Sequence, residues 1–372
     1  MKIGLLGFGT VGSHFYALTQ GRSDLTVAAV LSRRPRPELR CSVTADFSRL
    51  LHDPEIDTIV EVIGGLEPAH EYVCAALRAG KHVVTANKQL MCAYYDELVG
   101  LARENGVCLR CTAAAGGGIP WLTSLSRAAR LDEIIAVEGI LNGTTNYMLS
   151  EMSVHGTDYA EALSQAQQLG YAEADPTADV EGLDARRKIA LSANIAFGVS
   201  LPEEEIPCAG ISAITAEDIR QTARRGLTFR LIAHAARAEE GVAAFVAPTL
   251  FPAGAPEAHV GSTGNRVALC ARRIGMLSFA GFGAGGWPTG SSVLADCVDI
   301  NGGCESFYTD SLLPCHVDNA AEKARWLIRS KDNYFTLDCS VASAFAAYEL
   351  YRKDDPRALL ARLADGVDWE SC

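Results

Sequence analysis

The chain has 372 residues, 48% of them hydrophobic and 21% charged. At roughly 100–200 residues per domain, that is enough for two or three domains with ample apolar material for their cores. With 33 Lys+Arg against 45 Asp+Glu the formal charge is −12, which excludes a general polyanion binder, because phosphate contacts need clustered positive charge.

The start runs straight into Gly4 and Gly7 and lacks the basic, then apolar, pattern of a signal peptide. No stretch approaches about 18 uninterrupted apolar residues, so a cytosolic chain with neither membrane nor nucleic-acid partners is expected. The 12 cysteines are scattered over a long chain and read as reduced thiols. Cys108 and Cys111 have C-x-x-C spacing, but they lie in a strand-like run, where residues three apart face opposite sides. Zinc or redox chemistry is not expected there.

Along the first 115 residues, predicted strands at Lys2–Leu6, Thr26–Leu31, Thr58–Ile63, His82–Thr85 and Val107–Cys111 alternate with predicted helices at Val11–Gln20, Pro68–Ala79 and Ala93–Glu104. Strands separated by helices imply right-handed crossovers and a parallel sheet covered on both faces. The expected fold class is α/β: a doubly wound dinucleotide-binding domain, followed by an α+β catalytic and dimerisation domain.

That second domain is predicted from a helix near Trp121–Ala129 and a strong strand at Ile134–Leu141, with helices at Ala160–Leu169, Ala185–Phe197 and Ile214–Arg225. Thr215, ahead of Glu217 and Asp218, is a plausible cap. Strands follow at Leu227–His234 and Val242–Val246. The run from Phe279 to Thr289 is too glycine-rich for a regular element and is predicted as a site-lining loop before a helix at Ser292–Val298. The expected boundaries are 1–130 for the nucleotide domain with a return segment at 281–301, 131–280 for the second domain, and 302–372 as a divergent appendage.

Gly7, Phe8, Gly9, Thr10, Val11 and Gly12 form a G-x-G-x-x-G motif between the first strand and the first helix. Its glycines permit a tight turn and close approach of a pyrophosphate to the positive end of the helix. An NAD-specific site usually places an acid at the tip of the second strand, whereas this chain has Arg33 and Arg34 there. Two arginines suit a 2′-phosphate, so NADP is expected with NAD as the alternative. A solvated basic loop is the plainer reading.

Lys88 stands at the C-terminal end of a parallel strand, where open α/β sheets bind ligands, although a lysine at a helix start is also ordinary surface. In the charged run from Glu173 to Lys188, Asp184 and Lys188 are four apart on one helix face. The run reads either as a capped helix start with a surface ion pair or as a pocket. The pocket would offer carboxylates for an ammonium group and a lysine for proton transfer.

These motifs jointly resemble the homoserine dehydrogenase family, in order: GLLGFGTVG at the start, VEVIGGLEPA at 60–69, AGKHVVTANK at 79–88, GGGIP at 116–120, GILNGTTNYM at 139–148, LGYAEADPTADVEGLDARRK at 169–188 and GFGAGGWPTGSSV at 281–293. The resemblance implies NAD(P)H-dependent reduction of L-aspartate 4-semialdehyde to L-homoserine in threonine and methionine biosynthesis. It implies that Lys188 carries the proton to and from the substrate oxygen and that Glu173 binds substrate. Asp179 and Asp184 then line the same pocket, Gly143 and Thr144 contact substrate, and Lys88 lies by cofactor and reacting centre. Gly283 is expected on the cofactor.

A monovalent cation such as sodium is implied on the carbonyls of Ala115, Gly117 and Ile119, but Thr112 stands where family members commonly carry a glutamate. Many relatives end in a regulatory ACT domain. The run from Asp354 to Leu360 is faintly like the start of an ACT helix, yet too few residues follow to complete one. The strands Ile134–Leu141 and Leu227–His234 resemble a dimerisation sheet, so a homodimer is expected. The competing readings are a catalytically inactive NADP-binding sensor and another amino-acid semialdehyde oxidoreductase.

Overall fold

Short apolar runs, most of them followed by a helical stretch, build a six-stranded sheet in the first part of a computed structural model that describes residues 1–303, 306–307 and 312–370. The chain divides into two compact units, one of Met1–Arg130, Gly198–Ser200 and Phe282–Leu313, the other of Leu131–Phe197, Leu201–Gly281 and Pro314–Cys372. No helix among the described residues is long and apolar enough to cross a membrane.

In the first unit the strand order is Ser42–Thr44, Thr26–Leu31, Lys2–Leu6, Thr58–Glu61, His82–Thr85, Leu109–Arg110, with every pairing parallel. This is the dinucleotide-binding order, with the chain reversing direction across the sheet at Lys2–Leu6. Ser42–Thr44 is too short and too polar to stand out in the sequence. The core holds Ile3, Leu5, Phe15, Val60 and Val84 together with Val293, Cys297 and Ile300 from the helix Gly286–Asn301. The predicted glycine-rich loop from Phe279 to Thr289 is therefore mostly regular, since the strand Gly275–Phe282 covers its first four residues and the helix Gly286–Asn301 its last four. Small residues let that helix lie against Thr10–Thr19: a Cβ on Gly286 would stand 2.4 Å from the His14 ring.

The returning helix is also tied by charge. Arg110 Nε donates to Asp296 Oδ1 at 3.0 Å, and a second guanidinium nitrogen reaches Asp299. Thr112 donates to the same Asp296 carboxylate through its backbone N–H at 2.8 Å and its hydroxyl at 2.7 Å. Burial pushes the Asp296 carboxyl up from its ordinary range, against the pull of Arg110 and Thr112.

The second unit holds an eight-stranded sheet in the order Gly275–Phe282, Gly264–Ala271, Ile134–Ile140, Leu227–Arg237, Val242–Pro252, Leu359–Leu363, Lys323–Ser330, Asn333–Ser340. Leu359–Leu363 runs parallel to Val242–Pro252 and antiparallel to Lys323–Ser330. The tail, set apart in the sequence as an appendage at 302–372, thus contributes three strands and the helix Val341–Asp354 to this unit. Residues 304–305, 308–311 and 371–372 of that stretch lie outside the described residues. Apolar packing accounts for the difference: Trp326, Ile328, Phe345 and Leu360 bury around Phe245, with the Phe245 and Trp326 rings 5.3 Å apart. The segment from Asp354 to Leu360 ends a helix and begins a strand rather than opening a helix, as Pro356 in its middle favours.

Thr215 does cap the helix Ala216–Arg224, in a reciprocal box with Asp218. Asp218 also accepts from Arg329 at 3.1 Å and Tyr334 at 2.8 Å, which pins the tail strands to that helix.

Asp296→Ala would leave the Arg110 guanidinium buried without its main partner. The expected loss is about 3–5 kcal/mol of unfolding free energy in urea titration. A loss below about 1 kcal/mol would show that the network contributes little to closing the first unit.

Candidate active site

The first unit carries a cleft of about 760 Å³ at the ends of its central strands, lined by Gly7, Phe8, Gly9, Arg33, Arg34, Arg36 and Tyr72 among others. Gly7 has φ +100°, and a Cβ there would meet the Val62 carbonyl at 3.0 Å. At Gly12 a Cβ would stand 2.4 Å from the Gly7 carbonyl, so the helix can begin this close to the turn only with glycine. Thr10 and Val11 form the first turn of the helix Thr10–Thr19, which Gly9 precedes.

Arg33 and Arg34 are exposed at the tip of the second strand, as the sequence suggests. The sequence reading passes over Arg36. Its guanidinium donates to the Phe8 carbonyl at 3.1 Å and covers the Phe8 ring at 5.1 Å, which fixes the floor of the cleft. The run Arg33-Arg34-Pro35-Arg36 was the available signal.

A second unassigned group is Glu61, at the end of the strand Thr58–Glu61. Its carboxylate accepts from the backbone of Ile63 and Gly64 and from the Thr85 hydroxyl at 2.5 Å. Burial pushes this carboxyl up, partly offset by those hydrogen bonds. It joins the ends of two neighbouring strands. Asn87 continues the link by donating to the Gly65 carbonyl at 2.6 Å and capping the helix Lys88–Ala93 through Leu90 N–H. Lys88 is the half-buried first residue of that helix.

The glycines after Leu109–Arg110 also have a steric reason. Gly117 has φ +56°, and a Cβ there would stand 2.3 Å from the backbone of Gly283. Gly118 N–H donates to the Phe282 carbonyl at 3.0 Å. Ala115, Gly117, Ile119 and Gly283 are all buried in this close crossing of two backbones.

In the second unit the helix Leu183–Phe197 presents Asp184 and Lys188 on one buried face, so the end of the charged run is buried while its start at Glu173 and Asp175 is exposed. Lys188 Nζ donates to Asp184 Oδ2 at 2.7 Å and to the Leu141 carbonyl at 2.7 Å. Asn142, unassigned in the sequence, is the joint of this cluster. Its amide nitrogen donates to Asp179 Oδ1 at 2.7 Å and to Asp184 Oδ2 at 3.0 Å. Its amide oxygen accepts from Thr145 N–H at 2.8 Å and caps the helix Gly143–His155.

Gly143 opens that helix against Thr263, whose carbonyl would meet a Cβ at 2.8 Å. Thr144 donates its hydroxyl to the Tyr171 carbonyl at 2.6 Å and so holds the segment leading to Glu173. Asp179, Asp184 and Lys188 are gathered around Asn142. Glu173 stands in the exposed loop between Tyr159–Gln168 and Thr177–Val180.

The family profile described as homoserine dehydrogenase matches residues 120–298, and the one described as homoserine dehydrogenase, NAD binding domain, matches residues 7–111. The chain belongs to the homoserine dehydrogenase family. It is 40% identical to homoserine dehydrogenase of Bacillus subtilis over 314 residues, which cover 81% of this chain and 72% of that one. Its fold matches the crystal structure of a homoserine dehydrogenase from Thiobacillus denitrificans with TM-score 0.89 at 31% identity, covering 98% of each chain. A hyperthermophilic archaeal homoserine dehydrogenase in complex with NADPH matches with TM-score 0.69 at 25% identity, over 80% of this chain and 96% of that one.

Homoserine dehydrogenases are NAD(P)H-dependent oxidoreductases that reduce L-aspartate 4-semialdehyde to L-homoserine in amino-acid biosynthesis, and this chain is one of them. The sensor reading and the other semialdehyde oxidoreductases are not favoured.

Proposed function

We propose that Lys188 is the proton carrier of this homoserine dehydrogenase and that NADP is its preferred cofactor. The observation carrying the proposal is the linked group of buried Lys188, Asp184 and Asn142 with the half-buried Asp179. A bound nicotinamide supplies or accepts the hydride at the substrate C4. Lys188 does the proton chemistry. An ammonium has three donors, of which Leu141 and Asp184 engage two, leaving one for the aldehyde oxygen as it gains negative charge. In the reverse direction the lysine takes the hydroxyl proton as hydride leaves.

Asp184 orients Lys188 and balances its charge. Glu173 and Asp179 supply carboxylates for the substrate α-ammonium. Gly143 and Thr144, at the start of a helix, offer backbone N–H groups to its carboxylate. No acyl-enzyme is needed, so no thiol nucleophile is required.

For the cofactor, Gly7, Phe8, Gly9, Thr10, Val11 and Gly12 cradle the pyrophosphate, and Gly283 and Lys88 complete the nicotinamide side. Arg33 and Arg34 meet the 2′-phosphate from the exposed end of the cleft. The NADPH complex of the archaeal relative is in keeping with that preference.

The residues do not suit the monovalent cation. Thr112 is neutral and spends its hydroxyl on Asp296. The Gly117 carbonyl accepts from Ser292 at 2.5 Å and that of Ile119 from Trp121 N–H at 2.7 Å, so two of the three carbonyls already hold a donor. A homodimer accords with Ile135, Met276 and Leu277, apolar side chains exposed on the sheet of the second unit.

The test of reaction and roles is the rise of reduced-nicotinamide absorbance with L-homoserine and NADP⁺ or NAD⁺. Lys188→Ala should lower kcat by about 10²–10⁴-fold while NADP⁺ still raises the melting temperature. Arg33→Ala with Arg34→Ala should raise KM for NADP⁺ and leave that for NAD⁺ unchanged. Turnover that survives Lys188→Ala, or equal efficiency with both cofactors, would refute the corresponding role. NADP⁺-induced stabilisation of the unmodified chain without turnover in either direction would favour the sensor.

Replacing Na⁺ and K⁺ by tetramethylammonium at constant ionic strength should leave kcat/KM unchanged, and a several-fold fall would restore the cation site. Sedimentation equilibrium at low micromolar concentration should return the mass of two chains. A single-chain mass would rule out the dimer.

A further inference from the structure

Two helices of the first unit, Ala69–Arg78 and Tyr95–Glu104, pack side by side and bring together three side chains of metal-binding type. His70 and Cys74 are four apart and share one face of the first helix. Glu97 faces them from the second. One ligand atom from each lies within 4.8 Å of the other two. None of the three is used by the reaction.

We infer that His70, Cys74 and Glu97 form a binding site for a zinc-class divalent cation that clamps these two helices. The donor set of imidazole, thiolate and carboxylate is that of a borderline-soft metal and not of magnesium or calcium. A tetrahedral zinc site has ligand–ligand edges of about 3.4–3.8 Å, given its usual bond lengths. His70 Nε2 already stands 2.8 Å from Glu97, and Cys74 Sγ 3.6 Å from the other oxygen of the same carboxylate. The closure required is a small side-chain rotation.

The surroundings of the imidazole point the same way. His70 Nδ1 lies 3.3 Å from the Glu67 carboxylate, the arrangement that leaves Nε2 with its lone pair toward a metal and raises its basicity. The Tyr94 ring stacks on His70 at a centroid distance of 3.8 Å and holds its plane.

Without a metal, hydrogen bonds to Glu97 link the three groups. Burial and the Glu97 charge push the Cys74 thiol up to about 11, so in that state it keeps its proton. Arg78, 3.7 Å from Glu97, supplies part of the missing positive charge. A divalent cation takes over that role, displaces the thiol proton to solvent and bonds Cys74 as thiolate. The open side of the cluster, where His70 and Glu97 are partly exposed, leaves room for water as a fourth ligand.

The experiment is titration of the chelator-treated full chain with Co²⁺, followed by displacement with Zn²⁺. One equivalent of Co²⁺ should produce a near-ultraviolet thiolate-to-cobalt band that Zn²⁺ abolishes, and Zn²⁺ should raise the melting temperature. Cys74→Ser should remove the band, and His70→Gln should weaken binding at least roughly tenfold. Absence of the band, or the same band in folded Cys74→Ser, would overturn the site and assign any binding to other thiols. Should Cys74→Ser fail to fold, Glu97→Gln at its partly exposed position decides: roughly tenfold weaker Co²⁺ binding supports the site, and unchanged affinity refutes it.

Discussion

One buried carboxylate closes the nucleotide-binding unit. Asp296 comes from the helix Gly286–Asn301, far along the chain, and meets Arg110 and Thr112 at the last strand of the parallel sheet. A charge at zero exposure is costly unless every oxygen is engaged, and here a guanidinium, a backbone N–H and a hydroxyl share the two. The same helix supplies Val293, Cys297 and Ile300 to the core beneath the first helix, and its start sets Gly283 against Gly117. The glycine turn that lines the cleft is thus held in part by residues nearly 300 positions away.

The polar cluster of the second unit depends on a similar economy of polar groups. Two carboxylates and a lysine near the start of the helix Leu183–Phe197 would repel or wander without a neutral donor between them. Asn142 provides it, giving one N–H to each aspartate while its oxygen caps the next helix. The side chain therefore couples the end of the strand Ile134–Ile140, through Asp184, to Lys188. The strand itself is held on both edges, by Leu227–Arg237 and Gly264–Ala271.

Local chemistry made much of this legible beforehand. The G-x-G-x-x-G turn, the four-residue spacing of Asp184 and Lys188, and the Thr215 cap are contacts between near neighbours, and periodicity reports those well. The strand Ser42–Thr44 was missed because three residues carry no period. Glycines at 281–286 suggested a loop, but the helix starts there because Gly286 must pass the His14 ring. The tail was set apart because the signal for its strands lies in the partner: Trp326 and Phe345 make sense only against Phe245.

The sequence by itself indicated the class of protein, since alternating strands and helices, a glycine turn after the first strand and a series of ordered motifs all pointed to the same dinucleotide fold. Its motifs in their order also singled out Lys88, Glu173, Asp179, Asp184 and Lys188 through a family resemblance, while their spacing alone left surface and pocket both open. Tertiary structure decided whether those charges were surface or pocket, a choice between identical spacings that only burial resolves. It alone brought Asn142 to the two aspartates, Asp296 to Arg110, and Glu97 to His70 and Cys74. Such pairings depend on distances between segments remote along the chain, and hydrophobic periodicity carries no record of them.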